Sequence, residues 1–122
     1  VNRRFRLTRS TDFERVRRTG KSYAHPLIVL IIAPQPGGNI RFGVAAGRAV
    51  GGAVQRNRAK RLLRHAVQQF LPQMKPGWDA VLIARRAMVD ATFQQTVTAL
   101  ADLLRRARLL QEAHDLNGPP SG

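Results

Sequence analysis

The sequence contains no cysteine, which excludes disulfides, thiolate metal sites and a cysteine nucleophile. That is compatible with a reducing cytosol, and a cytoplasmic location is expected. Its longest apolar run, Leu27 to Ala33, is far shorter than the roughly 20 residues needed to cross a bilayer. The basic start, Val1 to Arg9, leads into polar residues with no apolar segment or cleavage site, so a signal peptide is not expected and the protein should be soluble. Internal repeats and low-complexity blocks are missing as well. Acidic residues are the scarcest of the charged groups: 7 Asp and Glu stand against 21 Lys and Arg, a formal net charge of +14. None lies between Glu14 and Asp79, a stretch that holds twelve Lys and Arg. A solvated surface mixes both signs, so a one-sign segment of this length implies a polyanionic partner, with nucleic acid ahead of an acidic membrane surface.

The few carboxylates and histidines are scattered. Asp12 and Glu14 are two apart on a helical stretch and do not face each other. Asp79, Asp90 and Asp102 border elements, where capping explains them. His25, His65 and His114 lack metal-ligand spacing, and a protein nuclease would need clustered carboxylates for a metal pair. Catalytic residues are therefore not expected. Gly47-Arg48-Ala49-Val50-Gly51 has the glycines of a phosphate loop without its Lys-Ser/Thr, and reads as a flexible lead into a helix.

What is present describes one domain over residues 1–113 and an expected disordered tail, 114–122, containing Gly118-Pro119-Pro120. At 122 residues the chain can bury roughly two thirds of its unfolded surface without covalent staples. Ser10 or Thr11 is expected to cap a first helix, Thr11 with Glu14 fitting a capping box, with Phe13 and Val16 on its apolar edge and Gly20 as its stop. Leu27 to Ala33, β-branched and bounded by Pro26 and Pro34, predicts a buried strand. A turn through Pro36-Gly37-Gly38 leads to a strand at Ile40 to Ala46, expected to pair with it as an antiparallel hairpin. A long helix follows from about Ala53 to Leu71, its buried face Ala59, Leu62, Leu63, Ala66 and Phe70. A strand at Asp79 to Arg85 and a final helix started by Asp90 or Thr92 complete the order. Phe93, Val97, Leu100, Leu104 and Ala107 are expected along the final helix's buried side. A short extra strand fits Lys21 to Ala24. The result is an α+β domain, a single α/β sandwich with helices on the faces of one sheet.

The most informative segment is Arg56-Asn57-Arg58-Ala59-Lys60-Arg61-Leu62-Leu63-Arg64. At roughly 100° per residue, Asn57, Arg61, Arg64 and Gln68 share a narrow sector, flanked by Arg58 and His65 on one side and Lys60 on the other. The apolar set points the opposite way. Guanidinium groups present planar, paired donors to phosphate and stay charged at any relevant pH. Solvated helix faces normally interleave acids four residues from their bases; this one has none.

Arg56-Asn57-Arg58 with Lys60, Arg61 and Arg64, preceded by Gly51-Gly52-Ala53-Val54, resembles the Arg-Asn-Arg motif of the bacterial ribonuclease P protein subunit. Phe5-Arg6-Leu7 and Ser10-Thr11-Asp12-Phe13 look like that family's opening, Arg41-Phe42-Gly43-Val44 like its second long strand, and Val81-Leu82-Ile83-Ala84-Arg85 like the strand after the basic helix. The ordered set covers about residues 5 to 110. The resemblance implies an α-β-β-β-α-β-α order with a left-handed crossover through the basic helix, similar to ribosomal protein domain 2. It implies a non-catalytic subunit of an endoribonuclease that removes the 5′ leader of precursor tRNA. The catalytic RNA would carry the chemistry, with Mg2+ held at the RNA active site and no cofactor bound by the protein alone. Its partners would be that RNA and precursor tRNA, with no membrane and no obligate protein partner.

Arg56, Asn57, Arg58, Lys60, Arg61 and Arg64 would meet the catalytic RNA, with Arg85 and Arg86 adding phosphate contacts. Phe13, Arg17, Ile31 and Arg48 would contact the leader in a cleft between the sheet and the first helix. Arg17 stands where members often carry a second aromatic and Ile31 where some carry a tyrosine. Gly47 and Gly52 replace a small hydroxyl residue and an asparagine. Composition alone also fits a structural ribosomal or RNA-chaperone protein. A membrane-surface protein is disfavoured because the strands need the apolar face of the basic helix as a lid.

Overall fold

Residues 5–35 and 37–111 are described by the computed structural model, so the tail assigned to 114–122 lies outside the described residues. Gly20 ends the first helix, α1 (Ser10–Thr19), donating its N–H to Val16 O at 2.8 Å. The beginning of α1 differs from expectation. Arg9 is the N-cap and makes no side-chain cap; its carbonyl takes the N–H groups of Asp12 and Phe13 instead, and Ser10 and Thr11 lie inside the helix. Helices α2 (Ala53–Phe70) and α3 (Phe93–Arg106) follow the expected bounds closely. Thr92 caps α3 in a reciprocal pair with Gln95.

The strands are β1 (Lys21–Ala24), β2 (Ile28–Pro34), β3 (Ile40–Ala46) and β4 (Trp78–Ala84), and they form one sheet in the order β1-β2-β4-β3. The expected hairpin between β2 and β3 does not exist. Strand β4 lies between them, antiparallel to β2 and parallel to β3. A parallel neighbour needs a long connection, and α2 supplies it. Burial explains the insertion, because Ala80, Val81, Leu82 and Ala84 are covered on both faces and only a central strand is.

Alternation along the strands then sorts side chains into two cores. Ile28, Leu30 and Ile32, with Phe42, Leu82 and Ala84, face a large cluster closed by Ala59, Leu63, Ala66 and Val67 of α2 and Leu100, Leu103 and Leu104 of α3. Ile31, Ala33 and Val81 face the other way, into a smaller cluster under Val16 of α1 and Leu7. The sheet is therefore sandwiched between α1 and the α2–α3 pair.

The buried stripe of α3 is turned from expectation. It runs through Thr96, Ala99, Leu100, Leu103 and Leu104, while Phe93 at the helix start is 37% exposed. Thr96 can be buried because its hydroxyl donates to Thr92 O at 2.8 Å, leaving no lone donor.

Candidate nucleic-acid interface

On α2, Asn57, Arg61, His65 and Gln68 are exposed, and Arg56, Lys60 and Arg64 are half-buried at the edges of that face. Among the described residues, no carboxylate lies within ion-pair distance of any cation on this helix. The lead-in is a 3-10 turn, Arg48–Val50, in which Val50 enters the large core and Arg48 stays exposed. Gly51 follows with φ 138°, a left-handed backbone that suits glycine.

Arg64 lines a groove of about 320 Å3 with Arg6, Thr8, Phe13 and Gly43. The N-terminal segment forms its wall because Leu7 N–H donates to Phe42 O at 2.7 Å, tying the chain to the free edge of β3. Burial, and then the nearby charge of Arg6, push the Arg64 guanidinium below its ordinary pKa. Two cations in one groove repel each other, and an anion between them would relieve that repulsion. Arg6 was not among the sequence-derived site residues; its place in the Phe5-Arg6-Leu7 opening was the signal available.

Phe13 also lines a second depression of about 690 Å3, shared with Ser10, Glu14, Arg17 and Arg18. Arg17 is exposed there. Ile31 is 7% exposed and packs with Val16, Ala33 and Val81 beneath α1. Phe13 and Arg17 are thus brought together, whereas Ile31 forms the packed floor below them.

What seats α1 over the sheet is a carboxylate. Asp79 is fully buried, and Arg41, its register partner on β3, grips it with Nε to Oδ1 at 3.0 Å and Nη2 to Oδ2 at 2.9 Å. Arg15 of α1 donates to the same carboxylate, and Gln35 Nε2 adds a bond at 3.2 Å. Its hydrogen bond to Asp79 raises the pKa of Arg41 above the ordinary value, the charges of Asp79 and Asp12 adding to the effect against a cost of burial. Asp79 is therefore the hub of an ion-pair network, a role that its position at a strand start did not reveal.

Arg85 and Arg86 are exposed after β4, and Arg85 Nη1 donates to His25 O at 3.3 Å. Arg58 points away from the exposed α2 face. Its Nη2 donates to Ala91 O at 2.8 Å and its Nη1 to Val89 O at 3.4 Å. Among the described residues no group of three His, Cys, Asp or Glu could hold a metal, and no helix is long and apolar enough to cross a membrane.

A sequence model of the family described as ribonuclease P matches residues 1–108. The ribonuclease P protein component of Herpetosiphon aurantiacus is 38% identical over 119 residues, covering 98% of this chain and 94% of the relative. That of Chloroflexus aurantiacus is 41% identical over 111 residues, covering 90% and 82%. Among solved structures, the Staphylococcus aureus RNase P protein superposes with a TM-score of 0.80 at 26% identity, covering 88% of this chain and 98% of that one. The Thermotoga maritima RNase P protein gives 0.74 at 27%, covering 83% and 96%.

Proposed function

This chain belongs to the ribonuclease P protein component family, and from that premise we propose how it serves the holoenzyme: α2 docks on the catalytic RNA, and the surface around Phe13 receives the 5′ leader of precursor tRNA. Family membership sets aside the reading as an unrelated ribosomal or chaperone protein. The observation that carries the proposal is the acid-free α2, whose exposed Arg61 and Asn57 adjoin the paired cations Arg6 and Arg64. Such a surface attracts phosphates from a distance and releases their counterions on contact. Asn57 can donate to a backbone oxygen or a 2′-hydroxyl.

In this reading the RNA carries the chemistry with its own Mg2+, and the complex works in the cytoplasm. The protein contributes affinity and orientation. Phe13 offers a face for base stacking, worth about 1–3 kcal/mol per base where a ring is accessible. Arg48, Arg85 and Arg86 supply further phosphate donors around the same surface.

The test is reconstitution. Protein freed of RNA is mixed with ribonuclease P RNA and precursor tRNA at low magnesium, where the RNA alone is slow. Cleavage of the leader should be restored by the two together and be undetectable with the protein alone. Magnesium-dependent cleavage by the RNA-free protein, or no rescue by the mixture, would overturn the proposal.

A further inference from the structure

We infer that Arg58 is a positioning residue: it fixes the turn that follows Arg85 to α2, and so sets the spacing between the cations of the helix and those of the turn. The inference rests on the RNA-binding reading of α2.

The helix and the turn come from distant parts of the chain, and the Arg58 guanidinium joins them. Its paired donors reach Val89 O, near the end of the 3-10 turn Arg86–Asp90, and Ala91 O, at its C-cap. Carbonyls at such an end lack partners of their own within the helix. The turn is held from beneath by Met88, fully buried in the large core, and Ala91 is 2% exposed. Backbone hydrogen bonds tie in both of its ends, Met88 N–H to Arg85 O at 2.9 Å and Ala91 N–H to Met88 O at 3.1 Å. It packs against both α2 and the Arg48–Val50 turn. Arg58 is therefore at the junction of three segments that each carry exposed cations: α2 with Arg61, the Arg48–Val50 turn with Arg48, and the turn entered through Arg85 and Arg86. A guanidinium already forked onto two carbonyls is poorly placed to grip a phosphate as well.

Lysine distinguishes the two roles. It keeps the charge that a phosphate contact needs, and loses the planar fork that spans two carbonyls. Binding of the full chain to ribonuclease P RNA is measured for Arg58→Ala, Arg58→Lys, the pair Arg85→Ala/Arg86→Ala, and Arg58→Ala combined with that pair. A positioning role predicts that Arg58→Ala and Arg58→Lys weaken binding equally, by about ten-fold, the loss of one or two phosphate contacts made by the turn. Arg58→Ala should then add less than about two-fold once the turn's arginines are gone.

Amide exchange at Met88 and Ala91 should rise in both Arg58 variants while β2 and β4 keep the parent's protection. Near-parental binding by Arg58→Lys, or losses that multiply in the combined variant, would assign Arg58 a direct phosphate contact and overturn the inference. Loss of protection throughout the sheet would make it a general stability residue and overturn it equally. Arg61→Ala is the separate check on the underlying surface. If that variant binds like the parent, the RNA-facing reading of α2 fails, whatever the Arg58 variants do.

Discussion

The ring of Phe13 fills the space that a side chain at position 43 would need: a Cβ there would lie 2.9 Å and 3.0 Å from its Cε1 and Cε2. Gly43 is thus where α1 and β3 meet without a side chain between them. Glycine in a strand normally costs roughly 0.5–1 kcal/mol relative to alanine, so Gly43→Ala would stabilise if space allowed. Instead it should destabilise by about 1–3 kcal/mol by displacing the ring. Chemical denaturation of Gly43→Ala, Phe13→Ala and the double variant checks this. The double should be more stable than the sum of the singles allows, by about 0.5 kcal/mol or more; additive losses would mean that the ring and position 43 are independent.

Asp79 is the next test. Asp79→Ala should cost about 3 kcal/mol, the low end for breaking a buried ion pair, because Arg15 and Arg41 remain 33% and 30% exposed and can turn to water. At this chain length that lowers the melting temperature by roughly 10 °C. Asp79→Asn keeps an acceptor for Arg41 and should lose less. A parental melting temperature in Asp79→Ala would show that the network contributes no net stability.

Salt dependence reports on α2. If about six phosphates are neutralised, log K for the catalytic RNA should fall against log salt with a slope near −4 to −5. Arg61→Ala and Arg64→Ala should each reduce that slope by about one and leave the chain folded. Leu63→Ala, at a fully buried position, should cost about 2–5 kcal/mol of stability instead. A slope near zero, or unfolding in the arginine variants with Leu63→Ala stable, would put the RNA elsewhere.

Arg17 should make leader recognition strongly electrostatic. It is exposed beside Phe13, and a guanidinium attracts phosphate as well as lying against a base. Holoenzyme affinity for precursor and mature tRNA is measured across a salt series. Arg17→Ala should weaken precursor binding alone, most at low salt. Arg17→Phe should restore part of it with a shallower salt dependence. Parental binding by both variants would place Arg17 outside the leader path.

Local chemistry made most elements readable. Prolines bracket β2, Gly20 stops α1, and the spacing of Ala59, Leu63 and Ala66 fixes which side of α2 is buried. Pairing was not readable, because nothing in β2 or β3 indicates that a strand made some forty residues later separates them. Relations across the sheet were hidden for the same reason. Asp79 passed for a cap because its partners, Arg15 and Arg41, are remote in sequence. Arg58 is set apart from its neighbours on the helix only by the carbonyls of Val89 and Ala91, which are remote in sequence. Thr96 is polar, yet the carbonyl of Thr92 accepts its hydroxyl and lets it lie in the core.

The central place of β4 also governs when the molecule can come into being. Synthesis delivers β2 and β3 first, each strongly apolar, and neither can pair with the other in the native arrangement. Until residues 78–84 emerge, the inner edge of each stays open, and the core has no middle. Such long-range, partly parallel closure is slow compared with hairpin zipping, and open apolar edges invite association with other chains. The growing polypeptide therefore crosses a vulnerable interval between its third strand and its fourth, during which α2 is already exposed with its full positive charge. Repulsion between nascent chains is one force that keeps them apart until the last strand arrives.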